Sequence, residues 1–474
     1  MASVAVVGAG IAGLAAAWRL VRDRPGVRVV VLDAAPVVGG KLALAELGGL
    51  MVDVGAESLL ARRPEAVGLA REVGLDPDLT TPRPVGARLL TGGTLRPLPA
   101  GTLMGVPSSG RSVEGLLAPA EAALVDAEPA RAHAPVQADV AVGSFVAQRV
   151  GRAVVDRVVE PLLGGVYAGH ADRLSLRATV PALWEAAVSG RSVVETAARA
   201  ATAGAATQSP VFAGVRGGVG RLPLAVAEAL RSHGVEVRTR ATVRRLERTP
   251  HGWRVVMGPT TDEQALDVDA VVLATPAAPT SRLLNGLAPA AAKALAGVEY
   301  ASVGIVTLVL PRAGLPTTLT GSGFLVPPVE GRYVKAATFS SAKWAWLDDA
   351  ASDRVVVRAS VGRHREERDL QADDAEVIAR AVADLDGALG APLPVPIASS
   401  LTRWGGGLPQ YAVGHVDLVD LVRRQVDRLP GLALAGAAYD GVGVPACIAS
   451  GARAAGEVLT HLAAVDGQRR QSTP

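Results

Sequence analysis

The feature that most narrows the folds open to this chain is a glycine cluster, Gly8-Ala9-Gly10-Ile11-Ala12-Gly13, with its flanks. Ahead of it, Val4 to Val7 is a short apolar run that reads as a buried parallel strand. Behind it, Leu14 to Val21 has helical spacing, Pro25-Gly26 makes a turn, and Val27 to Leu32 reads as a second buried strand. A strand, a glycine turn, a helix and a parallel strand form the minimal dinucleotide-binding unit. In it, Gly8 permits the tight turn, Gly10 lets the backbone approach a pyrophosphate, and Gly13 lets the helix pack on the sheet. The phosphates would sit at the positive end of the helix. Asp33 ends the second strand about twenty residues on, where a carboxylate can hydrogen-bond ribose hydroxyls. The spacing alone is weak evidence, but between a strand and a helix and with its acid it predicts nucleotide binding rather than a merely structural turn.

A chain of 474 residues exceeds one comfortable hydrophobic core, so two or three domains are expected. Gly234 to Arg240 and Ala241 to Arg248 read as a pair of strands, with Trp253 to Met257 a third and Ala270 to Ala274 a fourth. Leu432 to Ala435 reads as a strand and Ala446 to Leu462 as a helix, so the nucleotide-binding domain is assembled from three separated pieces. Ala118 to Ala206 is alanine-rich and mostly helical, with a loop at Glu128 to Val140. Gly304 to Leu310 and Arg354 to Val361 belong to a second sheet, and Asp466 to Pro474 is a polar tail expected to be disordered.

Several classes of function are disfavoured. A net charge of +3 without basic-aromatic runs does not suit nucleic acid. Cys447 is the only cysteine, which excludes intrachain disulfides and cysteine-ligated metal sites and fits a reducing cytoplasm. There is no basic leader before the first strand and no run of about twenty apolar residues, so neither a secretory signal nor a transmembrane segment is expected. No Ser/His/Asp triad or metal-ligand cluster is evident, and His170, His364 and His415 read as surface or hydrogen-bonded residues.

Two further motifs extend the first. Gly39-Gly40-Lys41 lies just past Asp33 and is followed by Val52-Asp53-Val54-Gly55-Ala56-Glu57-Ser58. Paired glycines there favour FAD over NAD, because flavoproteins of the amine-oxidase-like group thread their chain past the cofactor at that point. Gly436-Ala437-Ala438-Tyr439-Asp440-Gly441-Val442-Gly443-Val444-Pro445 is a strand end, a glycine-rich bend and a helix start, suited to an anion or a polarised ring edge. Cys447, at that helix start, reads as a packed thiol rather than a covalent flavin attachment.

These motifs, with Leu103-Met104-Gly105-Val106-Pro107, Gly164-Gly165-Val166-Tyr167-Ala168-Gly169, Leu174-Ser175-Leu176-Arg177, Trp404 and Pro409-Gln410-Tyr411, resemble the protoporphyrinogen/coproporphyrinogen oxidase family nearly end to end. The resemblance is nearest to its bacterial coproporphyrinogen III-oxidising members. It implies an α/β chain with a discontinuous Rossmann-like FAD-binding domain (1–85, 210–290 and 425–465), a helical subdomain (86–209) and a mixed-sheet substrate-binding domain (291–424). It implies non-covalent FAD held by Gly8, Ala9, Gly10, Ile11, Ala12, Gly13, Asp33, Gly40, Lys41, Gly55, Ala56, Glu57, Ser58, Val243, Trp404, Ala437, Val442, Gly443 and Val444. Asp33 replaces the family's usual glutamate, which keeps the charge on a shorter arm.

The activity implied is removal of six electrons from a porphyrinogen in three rounds, with oxygen consumed and hydrogen peroxide released, in haem biosynthesis. The flavin drives it, so no catalytic side chain is assigned. Leu325 matches the apolar residue packing the porphyrinogen, Tyr167 lies in the glycine-rich segment, and Arg358 suits one of the four propionates of coproporphyrinogen. Arg88 stands one residue from the family's propionate-binding arginine, and on a strand a one-residue slip reverses the face. The resemblance also raises a ferrochelatase as a partner. Docking on lipid is not expected, because the helical segment lacks a basic-aromatic face. Protoporphyrinogen IX oxidation, amine oxidation and an FAD-dependent isomerase stay open, although so few aromatics ill suit an amine oxidase's aromatic cage.

Overall fold

The computed structural model describes residues 1–206 and 210–471. A five-stranded parallel sheet runs in the order Glu236–Arg238, Arg28–Leu32, Ser3–Val7, Ala270–Leu273, Leu432–Leu434. Apart from the edge strand Glu236–Arg238, its strands are largely apolar because both faces are covered, as a parallel sheet requires. Val4, Val6, Val29, Val31 and Val272 pack beneath the Ile11–Asp23, Arg221–Ser232 and Val444–Gln471 helices. Ala5, Val7, Val30, Leu32 and Leu273 pack on the opposite face under the Ala277–Leu284, Pro289–Ala296 and His415–Val426 helices. The first and last helices touch backbone to backbone, since a Cβ on Gly451 would lie 2.1 Å from the Ala12 carbonyl oxygen.

A seven-stranded mixed sheet has the order Ala398–Pro409, Tyr300–Pro311, Arg354–Val361, Val334–Phe339, Gly323–Leu325, Ala87–Thr91, Thr94–Pro97. Only the pairing of Gly323–Leu325 with Ala87–Thr91 is parallel. The Asp374–Leu389 helix, capped by the Asp373 carboxylate on the Glu376 amide at 2.8 Å, buries one face of this sheet. The other face looks toward the helical segment, whose core joins Val142, Phe145, Val158, Leu163, Tyr167 and Leu176.

Two expectations need correction, and two others gain detail. Residues 87–97, placed in the helical subdomain, supply two strands of the mixed sheet. The two strands read over 234–248 are present at Glu236–Arg238 and Val243–Thr249; the first joins the parallel sheet and the second an antiparallel one with Gly252–Met257 and Gln264–Val268. The loop beginning at Glu128 is anchored inside, because the Glu128 carboxylate accepts from Arg149 Nη1 at 3.2 Å and Val193 N at 3.1 Å. The tail is helical through Gln471, with Asp466 paired to Arg24; residues 472–474 lie outside the described residues. Among the described residues, no helix is long and apolar enough to cross a membrane.

Candidate flavin and substrate site

The three glycines of the first turn have separate reasons. Gly8 has φ +111° and a Cβ there would lie 2.7 Å from the Ala274 carbonyl oxygen. At Gly13 it would lie 1.9 Å from the Gly8 carbonyl oxygen. Both are required by the protein's own packing. Gly10 is not: its φ of −69° is open to any residue and a Cβ would meet nothing within 4 Å. That open cradle sits at a helix start with no side-chain cap and no acid in the first turn, which leaves donors and dipole facing outward. The cradle fits the pyrophosphate of a dinucleotide.

Asp33 folds back onto this turn. Its Oδ2 accepts from Ala9 N at 2.5 Å and its Oδ1 from Ala35 N at 2.7 Å. Its carbonyl accepts from Ala241 N, two residues before Val243, so Val243 borders the same end of the sheet. Replacing Asp33 with Ala should weaken FAD by about 1.5–3 kcal/mol through loss of charged hydrogen bonding. Fluorometric titration of the apoprotein checks this, and unchanged affinity would remove Asp33 from the site.

The 39–41 turn crosses the first. Gly39 N donates to the Ala9 carbonyl at 2.8 Å, and a Cβ on Gly40 would come 3.4 Å from Gly10 Cα. The Lys41 carbonyl accepts from Ala56 N, and a Cβ on Gly55 would lie 1.9 Å from that carbonyl oxygen. Trp404 Nε1 donates to the Val54 carbonyl at 2.9 Å. Lys41 itself is exposed yet walled by protein, which lowers its ammonium pKa. Asp53 ties this layer to the start of the Arg221–Ser232 helix by accepting from Val219 N and Gly220 N at 2.9 Å each; burial pushes its carboxyl up to about 6.

Glu57 accepts from Arg358 Nη1, Lys343 Nζ and Ser340 Oγ at 2.8, 2.8 and 2.9 Å. Burial would raise its carboxyl, but Lys343 and Arg358 overcome that and hold it at about 2. Ser58 Oγ accepts from the same lysine at 2.7 Å. The Glu57 carboxylate is thus fully engaged by protein and braces the turn from behind.

At the carboxyl end, Gly441 has φ +126°, Val442 packs on the helical core, and Cys447 N donates to the Gly443 carbonyl at 3.0 Å. Ala437, Val442, Gly443 and Val444 come together here beside Lys41, whose charge is felt by the Cys447 thiol. That thiol is buried and pushed up to about 11, so it stays protonated and unreactive at neutral pH. Tyr411, noted only as part of a motif, is the hub of this end: its hydroxyl donates to the Ala437 carbonyl at 2.5 Å and accepts from Gly441 N at 2.8 Å. His415 stacks on its ring at 3.9 Å and bonds the Ala438 carbonyl; burial lowers its pKa to about 4. His364 is likewise buried against Glu299, and His170 lies 3.6 Å from Glu366.

The residues proposed for substrate divide sharply. Leu325 is half-buried on the face toward the Glu160–Tyr167 helix, and a Cβ on Gly165 would lie 3.6 Å from its Cδ2. Gly165 and Val166 are exposed between buried Gly164 and Tyr167, so this helix presents an open strip beside Leu325. Tyr167 itself turns into the helical core, its ring 5.7 Å from Tyr411, and does not belong to that strip. Arg88 pairs with Phe324, which lies in the core under the Asp374–Leu389 helix, so Arg88 shares that face and points away from Leu325. Arg358 is 7% exposed, with Nη1 on Glu57 and Nη2 on the Gly55 carbonyl at 2.5 Å. It is neither a free propionate partner nor a surface charge.

The profile of the flavin-containing amine oxidoreductases matches residues 11–459. A coproporphyrinogen III oxidase of Mycobacterium tuberculosis is 38% identical over 97% of this chain and 98% of its own. One from Bacillus subtilis is 28% identical over 97% and 98%. A crystal structure from an Exiguobacterium species, assigned as a protoporphyrinogen oxidase, superposes with a TM-score of 0.83 at 28% identity, covering 97% of this chain and 99% of that one. With its glycine cradle, braced second turn and carboxyl-terminal helix start brought together in the fold, this chain is a flavin-dependent oxidoreductase that belongs to the protoporphyrinogen/coproporphyrinogen oxidase family of the flavin-containing amine oxidoreductases.

Proposed function

We propose that this protein oxidises coproporphyrinogen III to coproporphyrin III with non-covalent FAD, removing six electrons in three rounds and giving three hydrogen peroxide from three oxygen. The reading is supported above all by the coproporphyrinogen III oxidases that share its whole length. The flavin, when bound, supplies the two-electron acceptor of each round. The chain's own residues bind and orient. Gly8 to Gly13 and Asp33 would hold the pyrophosphate and ribose, while the 39–41, 55–58 and 437–444 segments would embrace the rest. Leu325 and the open strip at Gly165 and Val166 form apolar walls for the macrocycle, holding it in one orientation. The buried, protonated Cys447 supports attachment without a covalent bond.

Purified holoenzyme should release FAD on denaturation without proteolysis. Flavin retained by the denatured chain would overturn the non-covalent reading. Side-by-side assays on coproporphyrinogen III and protoporphyrinogen IX should give the higher kcat/KM for the first. A reversed preference would favour protoporphyrinogen oxidation, the activity assigned to the Exiguobacterium protein.

A further inference from the structure

With Arg358 engaged by Glu57 and Gly55 and Arg88 on the far face of the sheet, the carboxylates of the proposed substrate lack a partner, and another pair of cations lies near Leu325. The Val334–Phe339 strand pairs Val334 with Val361 and Ala336 with Ser360, so Lys335 is the extra residue of a β-bulge. Val334 and Ala337 stay in the core under the Asp374–Leu389 helix. The bulge therefore turns Lys335 to the same face as Ala336 and its partner Leu325, toward the Glu160–Tyr167 helix. Bulges of this kind re-aim side chains beside sites.

Lys335 is 7% exposed, yet its ammonium has a single acceptor, the Gly362 carbonyl at 2.9 Å. Among the described residues no carboxylate pairs with it. Arg363 is also 7% exposed; its Nη2 donates to the Val326 carbonyl at 3.1 Å, and Glu366 lies 3.8 Å away on the solvent side. Two cations are thus buried near one another, and burial with the Arg363 charge lowers the Lys335 ammonium to about 7 against the opposing pull of the half-exposed Glu366 carboxylate. Nearby Glu160 gives them no ion pair: its Oε1 accepts from Ala171 N at 2.9 Å and its Oε2 has no partner. Burying a cation without its counter-ion is costly, and a carboxylate with two oxygens satisfies this arrangement.

We propose that Lys335 and Arg363 form the receptor for a carboxylate carried by the substrate, near Leu325 and the Glu160–Tyr167 helix. This rests on the porphyrinogen reading above and names the side chains that recognise its propionates.

The test compares holoenzymes of wild type, Lys335→Met and Lys335→Arg. Lys335→Met should raise KM for coproporphyrinogen III by about tenfold or more, the scale of a charge-assisted hydrogen bond. Its flavin content should hold, and its thermal midpoint should stay level or rise, because an unpaired buried charge is removed. Lys335→Arg should restore most of the KM. In binding titrations, wild type should prefer coproporphyrin III to its neutral tetra-amide, and Lys335→Met should lose that preference. An unchanged KM and preference would overturn the receptor. So would a lowered thermal midpoint that accounts for the KM change. Wild type that preferred the acid but did not turn over coproporphyrinogen III would overturn the activity while leaving the receptor standing.

Discussion

Gly10→Val is expected to give a folded but colourless protein. A Cβ there would meet nothing within 4 Å, and φ of −69° suits valine, so the urea midpoint should stay near that of the wild-type apoprotein. The valine would stand where the pyrophosphate approaches the helix start, weakening FAD by about 3 kcal/mol, roughly a hundredfold. Gly13→Ala should behave in the opposite way. Its Cβ would fall 1.9 Å from the Gly8 carbonyl oxygen, and neither backbone segment can yield without disturbing the first strand or helix. A loss of about 4 kcal/mol or more of stability is expected, with little soluble protein recovered. If Gly10→Val retained yellow flavin after gel filtration, the pyrophosphate would lie elsewhere.

The second large effect concerns Arg358. Arg358→Met removes one cation from a buried carboxylate and frees the Gly55 carbonyl, at a cost of about 3 kcal/mol in unfolding free energy. Flavin content should fall with it, because the 55–58 turn loses its brace. Adding Glu57→Gln should recover part of the loss. The pH response identifies the pair. The Glu57 carboxyl is depressed from 4.5 to about 2, so its contribution is fully present above about 4.5 and disappears as pH falls toward 2. Asp53, raised from 3.8 to about 6, acts in the opposite sense, disfavouring the fold as pH rises between those values. Comparing Glu57→Gln with wild type from pH 5 to 2.5 isolates the first effect; parallel stability curves would show that Glu57 is not the titrating group.

What could be read in the sequence was local. The glycine turn, Asp33 and the strand-helix order around them are neighbours along the chain, so their spacing carries their geometry. Arg358 could not be read that way: a charge on an apolar strand suggested a ligand, but its partners Gly55 and Glu57 lie some three hundred positions earlier and only the tertiary fold unites them. Arg88 hinged on a single step of strand register, and the pairing with Phe324 turned it to the far face. Lys335 left one legible sign, as one of only four lysines among many arginines. Its direction depended on a bulge, which alternation of apolar and polar residues does not reveal. Tyr411 was noted within its motif, but its hydroxyl bonds to Ala437 and Gly441 arise from a loop closure that no periodicity encodes.

The central parallel sheet takes its fifth strand from Leu432–Leu434, and the helix facing the first glycine turn begins at Val444. A growing chain therefore displays its phosphate cradle some four hundred residues before the element that closes the opposite side of the pocket has been made. Cofactor capture becomes a terminal event of synthesis, and the amino-terminal unit must wait with apolar surfaces at Ala12, Ala16 and Val6 uncovered. Until the carboxyl-terminal helix is made, those surfaces are exposed in the way that leaves large chains open to misassembly.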